Sequence, residues 1–213
     1  MKLKRILVDP LIYILLFVNI GLAYAYFKHI ISAETILYTY FFQSIVMGIS
    51  YFFQLLTLRE YSVKDVSINN KPLEKTPKTN GCISFFFLFH FGFFHLVYYL
   101  FLSDIIDLEK DTDLDFLLYA IITFAVGELL NIIKQRFGKH SEETNIGELM
   151  FTPYLRIIPM HLFIIFGGFF GHHNPGIFML FIILKIISDV AMHIVINKTY
   201  KEKSNTSPIT HQQ

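Results

Sequence analysis

Cysteine, tryptophan and charged residues are all scarce in this chain of 213 residues. The single cysteine, Cys82, excludes an internal disulfide framework and any metal site that needs several cysteines of one chain. Tryptophan is absent, although the interfacial belts of membrane proteins usually combine it with tyrosine. Charged residues make up 16% of the sequence and hydrophobic residues 54%, whereas about 25% of a soluble domain is charged. The composition therefore favours an integral membrane protein, with the lipid bilayer rather than nucleic acid as its partner.

Six apolar stretches are long enough, at about 17 to 25 residues, to cross about 30 Å of hydrocarbon. Their predicted bounds are 10–27, 35–57, 81–103, 115–134, 153–171 and 176–197. The polar tail 198–213 is predicted to be disordered. We therefore predict an all-α fold, a single transmembrane domain of six helices over residues 1–197.

Positive charge is distributed unevenly among the connections. Fifteen of the eighteen Lys and Arg residues lie on one side of the membrane if the six helices alternate in direction. The other side keeps Lys28 and Lys110 and the acidic stretch 103–115, while Lys185 lies within the sixth helix. Because cytoplasmic loops carry an excess of Lys and Arg, both termini are predicted to face the cytoplasm. The amino-acid bias indicates a prokaryotic source, so we expect a multi-pass protein of the plasma (inner) membrane.

Several polar side chains interrupt the predicted spans. They are Gln43, His90, His95, Glu128, Asn131, His161, Lys185, Asp189 and His193. A charged residue near the bilayer centre costs roughly 2.5 to 3.5 kcal/mol on insertion scales, so each one needs a partner or a function. At about 1.5 Å per residue, four of them reach a similar depth of about 9 to 14 Å from the cytoplasmic side. These four are His90, Glu128, His161 and Asp189.

Histidine and carboxylate at one depth are typical of a metal site built between the helices of a bundle. We predict that His90, His161, Asp189 and His193 bind a divalent transition metal, which would be Zn, Fe, Mn or Cu. Asp189 and His193 are four residues apart and therefore share one helix face. Glu128 is the candidate catalytic base, or a further ligand. The leading hypothesis is thus a metal-binding membrane protein or metalloenzyme.

Two other functions are compatible with the same residues. In a small proton-coupled transporter or carrier, the polar layer would be a relay. In a structural or assembly subunit, the polar groups would only pair helices: Lys185 and Asp189, also four residues apart, would neutralise each other, and the histidines would form hydrogen bonds between helices.

His90 and His95 are not predicted to be two ligands of one metal. Five residues correspond to about 500° of helical rotation, so the two imidazoles point about 140° apart. His95 also lies nearer the outer leaflet, at the level of Gln43. We expect His90 to belong to the polar layer and His95 to face Gln43 or a packing partner.

The fifth apolar segment contains backbone irregularity and a cation. Pro159 removes an intrahelical hydrogen bond and frees the carbonyl group of Leu155, which predicts a kink just before His161. Arg156 is expected either to extend toward the cytoplasmic headgroups or to clamp a carboxylate by facing Glu128.

Two glycines end this segment. Gly167 and Gly171 have the small-x-x-x-small spacing that permits close approach of two helices. This face is the predicted surface for a homo-oligomer.

Three stretches carry a resemblance to a known family. They are "HFGFFHLVYY" (90–99), "RIIPMHLFIIFGG" (156–168) and "LKIISDVAMHI" (184–194). Together they resemble an uncharacterised prokaryotic family of polytopic membrane proteins that is known only as a domain of unknown function. This resemblance implies an integral membrane protein and implies no activity, substrate or cofactor.

A shorter motif is similar to one in the rhomboid intramembrane proteases. The spacing His90-x4-His95-x3-Tyr99 matches it, but the last position in those proteases is Asn. The chain also has no Gly-x-Ser-Gly motif. Without an activated nucleophile, acyl-transfer chemistry is not predicted.

Overall fold

Most helices of the chain begin and end close to the predicted spans, but the last one continues to Ser204, so the predicted disorder of residues 198–204 is wrong. The computed structural model describes residues 10–58, 61–62, 67–68, 71–72, 74–106, 112–137, 144–170 and 174–204. Within these ranges the α-helices are α1 Pro10–Phe27, α2 Ala33–Thr57, α3 Pro77–Ile105, α4 Leu114–Phe137, α5 Ile146–Phe151, α6 Ile157–Phe170 and α7 Pro175–Ser204. The 3-10 helix Thr152–Arg156 joins α5 to α6, so these three elements form one helical segment. The predicted all-α class is confirmed.

Four of the helical segments are long and apolar enough to cross a membrane. They are Ala33–Thr57, Pro77–Asp104, Ile146–Gly167 and Pro175–Met192. Helix α1 contributes a shorter apolar stretch, Leu16–Phe27. Large apolar side chains also face outward, with Phe17 79% and Phe169 81% exposed. Such an apolar surface fits contact with lipid.

Capping side chains explain where three of the helices begin. The hydroxyl group of Ser32 accepts a hydrogen bond from the backbone N–H of Thr35 at the start of α2. Thr76 caps α3 in the same way and is followed by Pro77, whose missing N–H is harmless in a first turn. Asn145 caps α5. Helix α3 therefore begins before the predicted residue 81, and the fifth segment begins before residue 153.

Short strands join two connections at one end of the bundle, which we call the strand end. Strand β1 (Tyr61–Ser62) pairs in parallel with β4 (Thr144–Asn145), and so ties the α2–α3 connection to the α4–α5 connection. The side chain of Asn80 donates a hydrogen bond to the Leu58 carbonyl at 2.6 Å. Strands β2 (Ser67–Ile68) and β3 (Lys71–Pro72) form an antiparallel pair within the first of these connections.

The other connections meet at the opposite end. The backbone N–H of Asp113 donates to the hydroxyl group of Thr35 at 2.9 Å, which joins the start of α4 to the start of α2. The rings of Tyr26 and Phe178 lie 4.4 Å apart, which joins the end of α1 to the start of α7. Successive helical segments therefore run in opposite directions.

Helix α2 is central to the packing. Helices α3 and α4 both pack against it, whereas α1 packs against α7 and α6 packs against α7. Helices α2 and α3 lie close together at Gly48, where an added Cβ would lie 2.5 Å from a ring atom of Phe91. Glycine is therefore required at this position for the two helices to lie so close together.

Candidate functional site

A buried ion pair lies between α1 and α7. The Lys185 ammonium donates to Asp189 Oδ2 at 2.9 Å and to Asn19 Oδ1 at 2.6 Å. The Asn19 amide in turn donates to Asp189 Oδ2 at 3.4 Å. Asn19, Lys185 and Asp189 are 3%, 8% and 9% exposed. The pairing of Lys185 with Asp189 that was one of the predicted alternatives is therefore present, and Asn19 completes it.

Tyr40 of α2 connects this pair to a second buried cation. The Lys185 ammonium lies 5.5 Å from the centre of the Tyr40 ring, and the Arg156 guanidinium carbon lies 4.6 Å from it. Both distances are within the range of cation–π attraction. The Tyr40 hydroxyl also donates to the Arg156 carbonyl at 3.0 Å. We call Asn19, Tyr40, Arg156, Lys185 and Asp189 the charged centre.

Arg156 is held inside the bundle. Its side chain is 4% exposed, so the expectation that it extends toward the headgroups is wrong. The guanidinium stacks between Tyr40 and Phe124, whose ring centre lies 5.0 Å away, and its Nη2 donates to Gln43 Oε1 at 3.2 Å. Its Nε has no hydrogen-bond partner within the described part of the chain.

Glu128 lies one turn after Phe124 on α4 but is not bound by Arg156. Its carboxylate accepts a hydrogen bond from Ser50 at 3.0 Å, and Gln54 donates to the same Ser50 hydroxyl at 3.1 Å. Ion pairs within the described ranges do not include one between Glu128 and Arg156. The predicted clamp is therefore absent from this conformation.

The Leu155 carbonyl, which Pro159 leaves without an intrahelical donor, accepts a hydrogen bond from another helix. Ser188 of α7 donates to the Leu155 carbonyl at 2.6 Å. The predicted irregularity before His161 takes the form of the 3-10 helix, which changes to α-helix at Ile157. Since Ser188 precedes Asp189, this bond also fixes the position of the anion.

His90 and His161 lie on the outer face between α3 and α6, where both are exposed. His90 Nδ1 is hydrogen-bonded to the Tyr154 hydroxyl at 2.8 Å, and His161 Nδ1 lies 3.5 Å from the Tyr98 hydroxyl. The ring of Phe94 contacts both imidazoles. The predicted polar layer therefore does not share one set of contacts: the two histidines are exposed, whereas Asp189 is bonded to Lys185 and Glu128 to Ser50.

The metal hypothesis stays a prediction. Among the residues that the structure describes, no group of three or more His, Cys, Asp or Glu side chains is arranged to hold a metal ion. The side chain of the remaining predicted ligand, His193, lies outside the described residues, as does that of Asn131.

His95 faces the interior, as its predicted separation from His90 requires. Its Nδ1 lies 2.9 Å from the Phe91 carbonyl, and its Nε2 lies 3.0 Å from the Ser44 hydroxyl. Because a carbonyl only accepts, Nδ1 carries the proton and Nε2 accepts from Ser44. His95 therefore links α3 to α2 beside Gln43.

A pocket opens at the opposite end, between the α1–α2 connection and the start of α7. Its lining includes Tyr26, His29, Glu34, Asn174 and Phe178. Tyr26 and Phe178 each lie seven residues, about 10 Å along a helix, from the charged centre. The rings of Phe178 and Phe181 are 6.0 Å apart, and Phe181 is 5.5 Å from Tyr40. Aromatic rings thus separate the pocket from the charged centre.

Gly167 is buried inside the chain, and Gly171 lies outside the described residues. The described part of the predicted oligomer face is therefore already covered within one copy. The homo-oligomer stays a prediction.

Asn19, Tyr40 and Ser188 were not predicted as members of the site. Asn19 carried a signal, because it is the single asparagine of the apolar stretch 10–27. Nothing in the sequence distinguishes Tyr40 from the other 11 of the 12 tyrosines.

The fold and the charged centre define a class: an all-α protein with helices that could cross a membrane and with charged side chains buried between them. Within that class the chain belongs to a family of unknown function, DUF6498, which matches residues 1–206. No curated protein and no solved structure matches the chain. Membership confirms the predicted relationship to a family without an assigned activity. The prokaryotic source stays a prediction.

Proposed function

We propose that this chain is a six-span protein of the plasma membrane, with both termini in the cytoplasm, and that it is a small proton-coupled carrier. The observation that carries the second part is the charged centre, in which three charged side chains are buried side by side. Ionisable groups within a membrane are expensive and usually mark substrate or proton pathways. A relay through Lys185, Asp189 and Tyr40 would use them as such a pathway.

The third charge favours a carrier over a purely structural role. The Lys185–Asp189 pair of α7, together with Asn19 of α1, is sufficient to join these two helices. Arg156 adds a further buried cation, and burying a charge without an anionic partner is unfavourable. A functional requirement for positive charge at this point explains Arg156 better than packing does.

Groups on both sides of the charged centre support a path through the protein. Toward the opposite end, the pocket comes within about two helical turns of Lys185, and the rings of Phe178 and Phe181, which separate the two, would have to move to open the path. Toward the strand end, α2 carries Gln43, Ser50 and Gln54, and Ser50 is bonded to Glu128. These are hydrogen-bonding side chains of the kind that relays use.

A structural subunit is the second candidate, and one observation favours it. Asn19 is bound to both charges of α7, so the ion pair also fastens α1 to the rest of the bundle. In that case loss of the charges would weaken the attachment of α1 without changing any flux.

The topology can be tested by cysteine labelling. In a Cys82→Ser background, we expect an impermeant maleimide to label the Asp115→Cys variant in intact cells, because residue 115 is exposed near the opposite end. The Glu74→Cys variant, exposed near the strand end, should be labelled only after permeabilisation. The reverse pattern would overturn the orientation, and labelling of both in intact cells would overturn the alternation of spans.

The carrier can be tested in proteoliposomes that enclose a pH-sensitive dye. We expect a proton flux, driven by an imposed potential, in the presence of one or more of a panel of sugars, amino acids, carboxylates and phosphate. The Lys185→Gln/Asp189→Asn variant should lose this flux, because it keeps a polar side chain at both positions but removes the charges.

The matched control is Lys28→Gln/Asp115→Asn, which removes one charge of each sign at exposed positions. It should behave like the unaltered chain. A flux no greater than that of empty liposomes, or an equal flux in the charge-free variant, would refute the carrier and leave the structural candidate.

A further inference from the structure

Arg156 has hydrogen-bonding capacity that its surroundings do not use. A guanidinium carries five N–H donors and no acceptor. Here one nitrogen, Nη2, donates to Gln43, while Nε is buried and without a partner among the described residues. A buried donor without a partner is unfavourable and rare in folded proteins. Its presence points to a partner that binds at this position.

The guanidinium is also held in one orientation. The rings of Tyr40 and Phe124 contact it at 4.6 and 5.0 Å from their centres. Gln43 fixes one edge of its plane. Such a fixed planar fork matches the two oxygens of a carboxylate or a phosphate and binds them through two parallel hydrogen bonds.

The local charge has the sign that an anion requires. Lys185 and Asp189 form an ion pair at 2.9 Å and largely compensate each other. Arg156 has no carboxylate within ion-pairing distance in the described ranges, since Glu128 is bonded to Ser50 instead. The charged centre therefore holds one positive charge that a bound anion would neutralise.

We propose that Arg156 binds the oxyanion group, carboxylate or phosphate, of a ligand that enters between α2, α4 and the 3-10 helix. If the proposed carrier function holds, on which this last step rests, the transported solutes are small carboxylates or phosphates. Glu128, one turn from Phe124, is then an internal carboxylate whose negative charge opposes binding at Arg156.

The experiment measures binding to the purified full-length chain in an uncharged detergent. Acetate, succinate and inorganic phosphate are titrated against chloride at equal ionic strength, and binding is followed by calorimetry and by thermal unfolding. We expect one or more of the oxyanions to bind saturably and to raise the unfolding temperature, since a ligand that binds only the folded state stabilises it.

Variants assign the binding to Arg156. The Arg156→Gln variant should lose the response, and Arg156→Lys should bind about tenfold or more weakly because an ammonium cannot form the two parallel bonds. Glu128→Gln should bind more tightly than the unaltered chain. This last variant leaves Arg156 in place, so it tests the proposal even if the arginine variants fail to fold.

Lys28→Gln is the matched control, because Lys28 is a cation that lies on a tyrosine ring at an exposed position, 5.8 Å from the centre of Tyr24.

A further titration distinguishes the sources of the oxyanion. If short-chain phosphatidylglycerol binds through Arg156 and the soluble anions do not, the ligand is a lipid headgroup and the solute assignment is wrong. Absence of any response in the unaltered chain, or an equal response in Arg156→Gln, would overturn the site itself. Oxyanion binding without flux in proteoliposomes would support the Arg156 site and refute the carrier function. Flux without oxyanion binding would support the carrier function and refute the site.

Discussion

Asp189→Ala is expected to lower the free energy of unfolding by about 3 to 5 kcal/mol, because it leaves the buried Lys185 ammonium without its anion. Lys185 is 8% exposed, so water cannot replace the lost carboxylate. Asn19 Oδ1 would remain as its acceptor, but an amide oxygen carries no charge. The loss should be among the largest that a single substitution causes in this chain.

The double variant Lys185→Met/Asp189→Ala should recover most of that stability. Replacing both members of a buried ion pair with apolar side chains of similar volume is often neutral or stabilising. The comparison is a double-mutant cycle, measured by denaturant unfolding in detergent with Lys185→Met as the other single variant. Asp115→Ala, at an exposed position, serves as the control and should change little. A double variant whose loss of stability equals the sum of the two single losses would show that the two charges are not energetically coupled.

Gly48→Ala is expected to destabilise the fold by about 1 to 3 kcal/mol through overpacking between α2 and α3. The new methyl group would lie 2.5 and 2.8 Å from two ring atoms of Phe91. That ring is buried, and it packs against Phe87 at 5.1 Å and His95 at 4.4 Å between ring centres. Because the ring is confined on these sides, the helices themselves must separate.

Gly127→Ala is the matched control for this substitution. Its Cβ would meet nothing within 4 Å, so replacement of glycine in a helix should be neutral or slightly stabilising. In a Phe91→Leu background, the smaller side chain should reduce the effect of Gly48→Ala. Equal unfolding free energies for the Gly48→Ala and Gly127→Ala variants would contradict the close approach of α2 and α3.

The sequence predicted features that depend on the geometry of one helix alone. The helical angle predicted that His90 and His95 point to different sides of α3, and they do; the outward side is that of His90, which was expected in the polar layer. The chemistry of Pro159 predicted that the Leu155 carbonyl would be free of its intrahelical bond, and in the structure Ser188 donates to it. Both predictions use only the geometry of a single chain segment, which the sequence specifies directly.

Features that depend on the rotation of one helix against another were not predictable in the same way. Counting residues gives the depth of His90, His161 and Asp189, but it does not say toward which neighbour each side chain points. Two of them face outward and the third faces Lys185 and Asn19. The same limit applies to Gly48, whose partner Phe91 is set by the contact of two helices.

The hydrogen bond from Ser188 to Leu155 joins more than two backbones. Leu155 directly precedes Arg156, and Ser188 directly precedes Asp189. A bond of 2.6 Å therefore joins the residue next to the buried cation to the residue next to the buried anion. Helix α7 cannot slide along the fifth segment by even one residue without breaking this bond. The register of α7 against the fifth segment therefore sets the position of Asp189 relative to Arg156. Any sliding of α7 that changes this register also changes the separation of the two charges.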